Sequence, residues 1–384
     1  MIFSSERQAV RFIHTGDLHL DSPFSRLPIE KSEERRREMR ETFGKLMQLV
    51  REEHADLLLI AGDVFDREYR TSATTKLLLD EFGACPRCQI VIAPGNHDPY
   101  TADSLWASGR LPSNVHVYST EGLQSFVFPE LNTAVYGWAF CSERLEMSPL
   151  SGRHAEDPTR LNLICGHCDI GVPLSGYGPV MEEDVAGFGA QYAAFAHRHV
   201  PQPPVAAGAG ALYAYCGCLE GRSYDEPGRG GVILGKAQRS EKGWTLQTER
   251  VELSKRRYQT EKVNLTGVST QQEVARRIKA VVEQKHYGAD TALRVIFTGA
   301  TPPDFSVPKQ ADGSMLGLYA LELFDNTSPV YDTDYLEKDL SIRGEFYRTI
   351  SPHLTSGTAE ERATAARALR IGMAALEGND ITDL

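Results

Sequence analysis

Apolar runs that each end in a cluster of polar residues are the feature that most constrains how this chain of 384 residues folds. The run at residues 89–93 is followed by Pro94 and then by Gly95-Asn96-His97-Asp98. Similar runs lead into four more clusters, Asp17-Leu18-His19, Gly62-Asp63-Val64-Phe65-Asp66, Gly166-His167 and His197-Arg198-His199. Residues that leave a buried strand lie on loops, where functional groups concentrate. Because carboxylate, amide and imidazole groups together suit borderline divalent metals, the clusters predict a metal site.

The first hundred residues have the pattern of strands that alternate with helices. Strands are predicted at residues 11–15, 56–61 and 89–93, with helices after Ser32 and at 72–82. Ser32 is the predicted N-cap of the first helix. Apolar residues in that helix recur with helical spacing at Met39, Phe43, Leu46, Met47 and Val50. Such a βαβαβ succession forms an open sheet that gathers its ligands at the carboxyl ends of the strands, so the fold class also predicts that the clusters meet.

After residue 115 the pattern changes to one typical of further strands. The predicted strands lie at residues 124–128, 133–138, 161–165, 192–196, 212–215, 231–234 and 244–251. We therefore expect an α/β protein with two sheets packed face to face and helices outside. Residues 1–251 would form this first domain.

The remaining chain is predicted to form two smaller parts. Residues 252–331 have the pattern of a small α/β module, with a strand at 257–265, a helix at 269–286 and a strand at 292–297. Residues 332–384 are expected to be a helical segment, in which Ala365, Leu369, Met373 and Leu376 form an apolar stripe. This stripe either packs on its own protein or docks on a partner.

Charge and hydropathy exclude some classes of function. The net charge of −11 argues against simple nonspecific adhesion to nucleic acid. Residues 250–285 carry nine basic against four acidic residues, which indicates either a basic patch or a solvated strand and helix face. No apolar stretch approaches the length of a membrane span, and residues 1–7 lack a basic segment followed by an apolar one. We expect a cytoplasmic protein that has no membrane partner.

The seven cysteines do not require a disulfide framework. The pairs Cys85/Cys88 and Cys165/Cys168 are isolated from one another in a long chain, and we expect reduced thiols. A zinc site at the Cys85 pair is the alternative.

The order of the motifs Asp-x-His, Gly-Asp-x-x-Asp, Gly-Asn-His-Asp, Gly-His and His-x-His resembles the calcineurin-like metallophosphoesterase family. The resemblance implies a four-layer sandwich of two mixed β-sheets flanked by helices. It also implies a dinuclear site in which one metal is held by Asp17, His19 and His199, the other by Asn96, His167 and His197, and Asp63 bridges them. The two divalent ions are expected to be manganese, with iron or zinc as alternatives.

Catalytic roles follow from the same resemblance. Water activated by the metals is expected to attack the phosphodiester. His97, beside the ligand Asn96, is expected to assist the leaving oxygen, and Asp98 to favour the protonated form of His97. Asp66 is expected to support the ligands without binding metal. In the last motif Ala196 replaces the usual glycine, and we expect its methyl group to narrow the approach of the backbone.

Residues 12–24 and 215–222 are similar to the corresponding segments of the DNA repair exonuclease branch, the SbcD-like and YhaO-type nuclease subunits. This similarity implies DNA, as single strands or duplex ends, as the substrate. It further implies a small capping module. It also implies a partner, an SMC-like coiled-coil ATPase that binds the C-terminal helices. A homodimer of this chain is another expectation. A phosphatase or small-nucleotide phosphodiesterase, and a non-catalytic scaffold, are the alternatives.

Overall fold

The computed structural model describes residues 9–25, 27–241, 243–302 and 305–378. Residues 1–7 lie outside these ranges. The expectation that the chain has no leader segment rests partly on these residues. The chain divides into two compact units, Met1–Tyr258 and Gln259–Leu384. The division into three domains at residues 251 and 331 stays a prediction.

The strands are, in chain order, β1 (Ala9–Thr15), β2 (Leu57–Ile60), β3 (Gln89–Ile92), β4 (Val115–Val117), β5 (Gln124–Phe128), β6 (Thr133–Gly137), β7 (Leu161–His167), β8 (Asp169–Ile170), β9 (Pro179–Val180), β10 (Tyr192–Ala196), β11 (Gln202–Gly208), β12 (Ala211–Tyr215), β13 (Gly228–Ser240), β14 (Gly243–Asn264), β15 (Thr291–Thr298), β16 (Ala300–Thr301), β17 (Ala320–Asp325) and β18 (Ser328–Pro329). The α-helices are α1 (Ile29–Glu52), α2 (Ser72–Gly83), α3 (Glu182–Phe188), α4 (Gln271–Gln284), α5 (Thr333–Lys338), α6 (Ile342–Thr355) and α7 (Ala359–Leu376). No helix within the described ranges is both long and apolar enough to cross a membrane.

Two mixed sheets organise the strands. The eight-stranded sheet has the order β17-β15-β14-β13-β1-β2-β3-β4, and the six-stranded sheet has the order β11-β12-β10-β7-β6-β5. Strands β1 to β4 are parallel, and β6, β7, β10 and β12 are parallel in the second sheet. The predicted architecture of two mixed sheets flanked by helices is confirmed.

Three apolar layers hold the first unit together. Strand β2 is apolar throughout because both of its faces are covered. Its residues Leu58 and Ile60 pack with the stripe of α1, whereas Leu57 and Leu59 pack between the two sheets. The outer face of the second sheet is covered by the third layer, which includes Trp138 and Phe188. The first apolar layer lies between the helices and the eight-stranded sheet, the second lies between the two sheets, and the third lies outside the six-stranded sheet. The order of helices, sheet, sheet and outer covering is the expected four-layer arrangement.

The predicted cap of the first helix is wrong, although its apolar stripe is confirmed. Helix α1 begins at Ile29, and its N-cap is Pro28, which makes no side-chain cap hydrogen bond. Ser32 lies within the first turns, and its hydroxyl faces the carbonyl oxygens of Phe24, Leu27 and Pro28. A serine inside a helix commonly bonds a preceding carbonyl in this way, which removes it from the capping role.

The second unit contains a small α/β arrangement and the C-terminal helices. Strands β15 and β17 are parallel, and Val274 and Ile278 of α4 pack with Leu293 and Phe297 of β15. Leu369 and Met373 of α7 are buried with Leu336 and Tyr347. Most of the predicted stripe of α7 therefore packs on its own chain, while Leu376 is 40% exposed.

Candidate metal centre

The polar clusters meet at the carboxyl ends of strands from both sheets. Asp17 and His19 follow β1, Asp63 follows β2, and Asn96 to Asp98 follow β3. In the second sheet, His167 ends β7, and His197 and His199 follow β10. The parallel strands of each sheet release these loops at one edge, and the side chains come within a few ångströms of one another there.

One group contains Asp17, His19 and His199. The Nε2 atoms of the two histidines lie 3.2 Å apart, and Oδ1 of Asp17 lies 4.0 Å from Nε2 of His199. One ligand atom from each residue lies within 4.8 Å of the others, a spacing that can hold a metal ion. Both Oδ atoms of Asp17 also accept from the backbone N–H of His197, which ties the loops after β1 and β10 together.

A second group surrounds His167. Its Nε2 atom lies 3.0 Å from Oδ1 of Asn96 and 3.2 Å from Nδ1 of His197. Asp17, Asp63 and His167 form another set with the spacing of metal ligands. The ring of Tyr177 stacks on the imidazole of His197 with ring centroids 4.6 Å apart, which holds that ring in place.

Asp63 lies between the two groups. Its Oδ2 atom is 3.3 Å from Nε2 of His167 and 3.6 Å from Nε2 of His19. Its Oδ1 atom accepts from the backbone N–H of His97 at 2.9 Å.

The tautomers of His19 and His167 follow from their Nδ1 partners. Nδ1 of His167 donates to the carbonyl oxygen of Ala61 at 2.9 Å, and Nδ1 of His19 donates to Oδ1 of Asp66 at 2.7 Å. The partners of His19 and His167 can only accept, so each of these neutral imidazoles carries its free lone pair on Nε2. Nδ1 of His199 lies 2.8 Å from Oε1 of Glu226 and 3.0 Å from Nη2 of Arg222. Burial opposes the protonated form of His199, but the hydrogen bond with Glu226 outweighs it and raises the pKa of His199. Burial lowers the pKa of both His19 and His167, which keeps them neutral.

The lone pairs therefore point at other acceptors. Nε2 of His19 and Nε2 of His167 both face the carboxylate of Asp63, at 3.6 Å and 3.3 Å. Acceptors that face one another at such distances cannot bond to each other, but they can share a cation. The donor set of imidazole nitrogens, carboxylates and one amide thus fits divalent metal ions.

Unusual backbone conformations accompany the cluster. Four of the predicted ligands have positive φ, namely Asp17 (48°), His19 (42°), Asp63 (53°) and His197 (107°). Non-glycine residues rarely adopt this region, and such strain concentrates at functional sites. At Gly95, an added Cβ would lie 2.2 Å from Oδ1 of Asp63, so only glycine allows the loop after β3 to approach this carboxylate.

Ala196, where the family motif usually has glycine, packs against another glycine. A Cβ on Gly16 would lie 2.4 Å from Cβ of Ala196. The methyl group of Ala196 therefore occupies space that Gly16 leaves open between β1 and β10. The close approach of the two loops is compatible with Ala196 because Gly16 has no side chain.

Asp66, rather than Asp98, lies against His97. The imidazole of His97 is half exposed, and its Nδ1 lies 3.3 Å from Oδ1 of Asp66. Asp98 is buried, and its carboxylate accepts from the backbone N–H groups of Asp63, Val64 and Gly95. Asp98 therefore fixes the loops that carry Asp63 and Asn96, and burial raises its pKa well above the usual value.

Two residues that the sequence analysis did not assign complete the surroundings of His199. Glu226 accepts from His199 and from the guanidinium of Arg222, whose Nη2 lies 2.8 Å from Oε1. Arg222 also donates to Ser22 at 3.2 Å, and Ser22 donates to Asp66 at 2.7 Å. A chain of hydrogen bonds thus connects the supports of His19 and His199. The motif at residues 215–222 pointed to Arg222, but nothing in it singled out Glu226.

The remaining histidines and cysteines lie outside this cluster. His14 is buried and bonds Tyr192 and Phe195. All seven cysteines are free thiols. Among the described residues, the groups with the spacing of metal ligands do not include Cys85.

Comparison with known proteins agrees with this geometry. The model of the calcineurin-like phosphoesterase family matches residues 10–201. The chain is similar to the uncharacterized metallophosphoesterase YhaO of Bacillus subtilis, with 28% identity over 236 residues that cover 58% of this chain and 56% of that protein. It is also similar to one of the subunits of the nuclease SbcCD of Rhodobacter capsulatus, with 34% identity over 94 residues that cover 23% of this chain and 22% of that protein. The chain thus spans little more than half the length of the first relative and less than a quarter of the second.

Proposed function

The chain belongs to the calcineurin-like phosphoesterase family, and from this premise we propose that it hydrolyses the phosphodiester bonds of DNA with two divalent metal ions. The observation that carries the proposal is the position of Asp63, whose Oδ2 lies within 3.6 Å of a histidine from each ligand group. A carboxylate in that position is suited to contact both ions.

The residues would divide between the ions as the motifs imply. Asp17, His19 and His199 would hold one ion, Asn96, His167 and His197 the other, and Asp63 both. We propose manganese, with iron or zinc as alternatives, because mixed oxygen and nitrogen ligands suit these metals. When bound, a pair of such ions polarises a phosphoryl oxygen and lowers the pKa of water.

The side chain of His97 would act on the leaving group. Its half-exposed ring borders the ligand Asn96, and Asp66 holds the Nδ1 side of the ring. The Nε2 atom is then the one that can give a hydrogen bond or proton to the departing oxygen. Asp98 supports this step indirectly, since it fixes the backbone on both sides of the site.

DNA as the substrate is supported by likeness to part of a nuclease over a quarter of the chain or less. The basic stretch at residues 250–285 adds less support than its composition suggests. Lys255 and Arg256 pair with Glu41 and Glu38 of α1, and Arg277 pairs with Glu273. These contacts favour the interpretation of a structural strand and helix face for much of that stretch.

The C-terminal segment is proposed to bind a partner of the SMC-like ATPase type. Tyr335, Leu340 and Ile342 are 55%, 97% and 74% exposed, which leaves apolar groups uncovered in the second unit. We propose that the module at residues 252–331 caps the substrate. We also propose that two copies of the chain form a homodimer.

A phosphatase or small-nucleotide phosphodiesterase is the second candidate, because one such metal centre serves many substrates. A non-catalytic scaffold would need neither the complete ligand set nor the exposed His97. One panel separates these functions: labelled single- and double-stranded DNA, cyclic nucleotides and a chromogenic phosphodiester, each with manganese and with chelator. We expect manganese-dependent cleavage of DNA. Cleavage of the small substrates alone would exclude the nuclease, and no cleavage of any substrate would favour the scaffold.

A further inference from the structure

A network of buried charges joins α1 to the loop between β12 and β13. Arg35 of α1 is completely buried, and its guanidinium donates to Oε1 of Glu220 at 3.0 Å and to the carbonyl oxygen of Gly221 at 2.7 Å. The same guanidinium donates to Glu38, which lies one turn further along the helix. Arg35 thereby contacts both its own helix and the loop.

The carboxylate of Glu220 is held from several sides and is 1% exposed. Its Oε2 atom accepts from the hydroxyl of Thr42 at 2.8 Å and from the backbone N–H of Lys255 at 2.7 Å. Its Oε1 atom accepts from the backbone N–H of Arg256 at 3.0 Å as well as from Arg35. These donors fix the side chain of Glu220, because a buried charge that loses a partner is strongly unfavourable.

The network contains two cations, Arg35 and Arg256, and two carboxylates, Glu38 and Glu220, all of them buried. Buried ion pairs commonly stabilise a protein no more than apolar side chains of similar size would, because taking charges out of water is costly. What the charges supply beyond packing is direction, since each hydrogen bond fixes the position of one atom. The atoms fixed by Arg35 belong to residues 220 and 221.

The segment that Arg35 holds leads directly to the supports of the metal centre. Arg222 follows Gly221, and both its backbone N–H and its guanidinium donate to the carboxylate of Glu226, at 2.6 Å and 2.8 Å. Oε1 of Glu226 in turn lies 2.8 Å from Nδ1 of the proposed ligand His199. A displacement of Gly221 would therefore move Arg222 and, through Glu226, the imidazole of His199.

We propose that Arg35 and Glu220 are positioning residues for the metal centre. They fix residues 220–222 against α1, so that Arg222 and Glu226 keep His199 at the place where it binds its metal ion. Neither Arg35 nor Glu220 is one of the seven proposed ligands, and both act through other residues. This inference rests on the proposed metal-dependent function, and its effect is confined to the ion that His199 holds.

Arg35→Lys tests this role without removing a charge. A lysine ammonium still offsets the charge of Glu220, but it cannot reach Glu220 and Gly221 together as the forked guanidinium does. In calorimetric titration with manganese we expect one site to weaken about tenfold, as for partners that orient a metal ligand, and the other to keep its affinity. The matched control is Arg37→Lys, the same change at an arginine of α1 whose side chain is 65% exposed, and it should leave both sites unaltered.

A double-mutant cycle separates positioning from general destabilisation. Since Arg35 acts through Glu226, Arg35→Lys should weaken the site little further in a protein that already carries Glu226→Gln. Hydrogen exchange of the metal-free protein gives a readout that does not depend on metal. Residues 220–226 should exchange faster in Arg35→Lys than in Arg37→Lys, because their contact with α1 is loosened.

Two further variants keep the test independent of protein stability. Thr42→Val removes one hydroxyl donor from Glu220 and retains every charge, so it should weaken the same manganese site by a smaller factor. Leu46→Ala lowers stability through loss of core packing in α1 and should leave both manganese affinities unchanged.

The outcomes distinguish this inference from the nuclease function. One weakened manganese site in Arg35→Lys, in a protein that binds two ions but does not cut DNA, would support the positioning role and reject the nuclease. Equal weakening of both sites, the same weakening in Leu46→Ala, or additive effects in the cycle with Glu226→Gln would overturn the positioning role. Unchanged manganese affinities in both Arg35→Lys and Thr42→Val would overturn it as well.

Discussion

The Oδ2 atom of Asp63 lies 3.3 Å from Nε2 of His167, and both side chains are almost completely buried. Because Nδ1 of His167 donates to the carbonyl oxygen of Ala61, the two facing atoms are both acceptors. Asp63 has the same relation to His19 on its other side. A buried arrangement of this kind is unfavourable without positive charge, which is why the site is suited to metal ions.

Replacement of His97 tests its assignment to the leaving group. His97→Ala should lower kcat on DNA by about 10²- to 10⁴-fold, the usual contribution of a general acid. Manganese content should stay the same, because His97 is not one of the seven proposed ligands. The matched control is His154→Ala, an exposed histidine outside every motif. If His97→Ala loses metal together with activity, His97 is a ligand and the assignment is wrong.

Glu226 is predicted to orient His199 for metal binding. Glu226→Gln replaces the acceptor of the Nδ1 proton by an amide, and we expect manganese affinity at that half of the centre to fall about 10- to 100-fold. Calorimetric titration should then resolve one weakened and one unaltered site. The melting temperature of the metal-free protein should also fall, because the variant removes the charge that pairs with Arg222. Two unaltered sites would show that Glu226 has no such role.

The sequence predicted the members of the cluster and the support from Asp66, but not the support from Glu226. Asp63, Asn96 and His167 were found because each directly follows an apolar run, and parallel strands bring such ends to one edge. Glu226 lies in the loop between β12 and β13, which has no strand pattern, so its contact with His199 depends on tertiary structure. For the same reason the partner of His97 was expected to be its neighbour Asp98, whereas the fold supplies Asp66.

The sequence predicted a helix or strand correctly where one or both of its faces are buried, because burial requires a regular pattern of apolar residues. Strand β2 and the stripe of α1 are examples. Strand β11 was missed because Pro203 and Pro204 argue against a central strand, and it lies at the edge of its sheet, where proline is tolerated. Strand β14 runs unbroken through residues 252–256, which the sequence pattern left between two strands.

The close packing of Gly16 against Ala196 can be tested with a double-mutant cycle. Gly16→Ala should destabilise the first unit by about 1–3 kcal/mol, because its methyl group would meet that of Ala196. The double variant Gly16→Ala/Ala196→Gly should recover much of this loss, which gives a coupling energy that separate sites would not show. Denaturant unfolding followed by tryptophan fluorescence provides the measurement. A double variant no more stable than Gly16→Ala would show that the two positions do not pack against each other.

His14 should make stability depend on pH. Burial lowers the pKa of His14 to about 3, while an unfolded histidine titrates near 6.5. Between these values the unfolded chain binds the extra proton, so stability falls as the pH decreases through this window. At pH 5 the loss relative to pH 7.5 should be about 2 kcal/mol.

The His14→Gln variant isolates this contribution. Its unfolding free energy, measured in chelator at pH 7.5 and pH 5, should fall by about 2 kcal/mol less than that of the wild-type protein. All three tryptophans, Trp106, Trp138 and Trp244, lie in the first unit, so their fluorescence reports on the unit that contains His14. Equal falls in the two proteins would mean that His14 does not titrate as its burial implies.

The number of manganese ions bound per chain tests the metal centre most directly. The protein is stripped with chelator and titrated with manganese, and bound metal is counted by mass spectrometry. We expect two ions for the wild-type chain and for Asp80→Asn, a control on the exposed face of α2. Asp63→Asn should lose at least one ion and bind the other more weakly, since its carboxylate lies between both groups. One ion or none in the wild-type chain, or two ions with unchanged affinity in Asp63→Asn, would contradict a centre shared through Asp63.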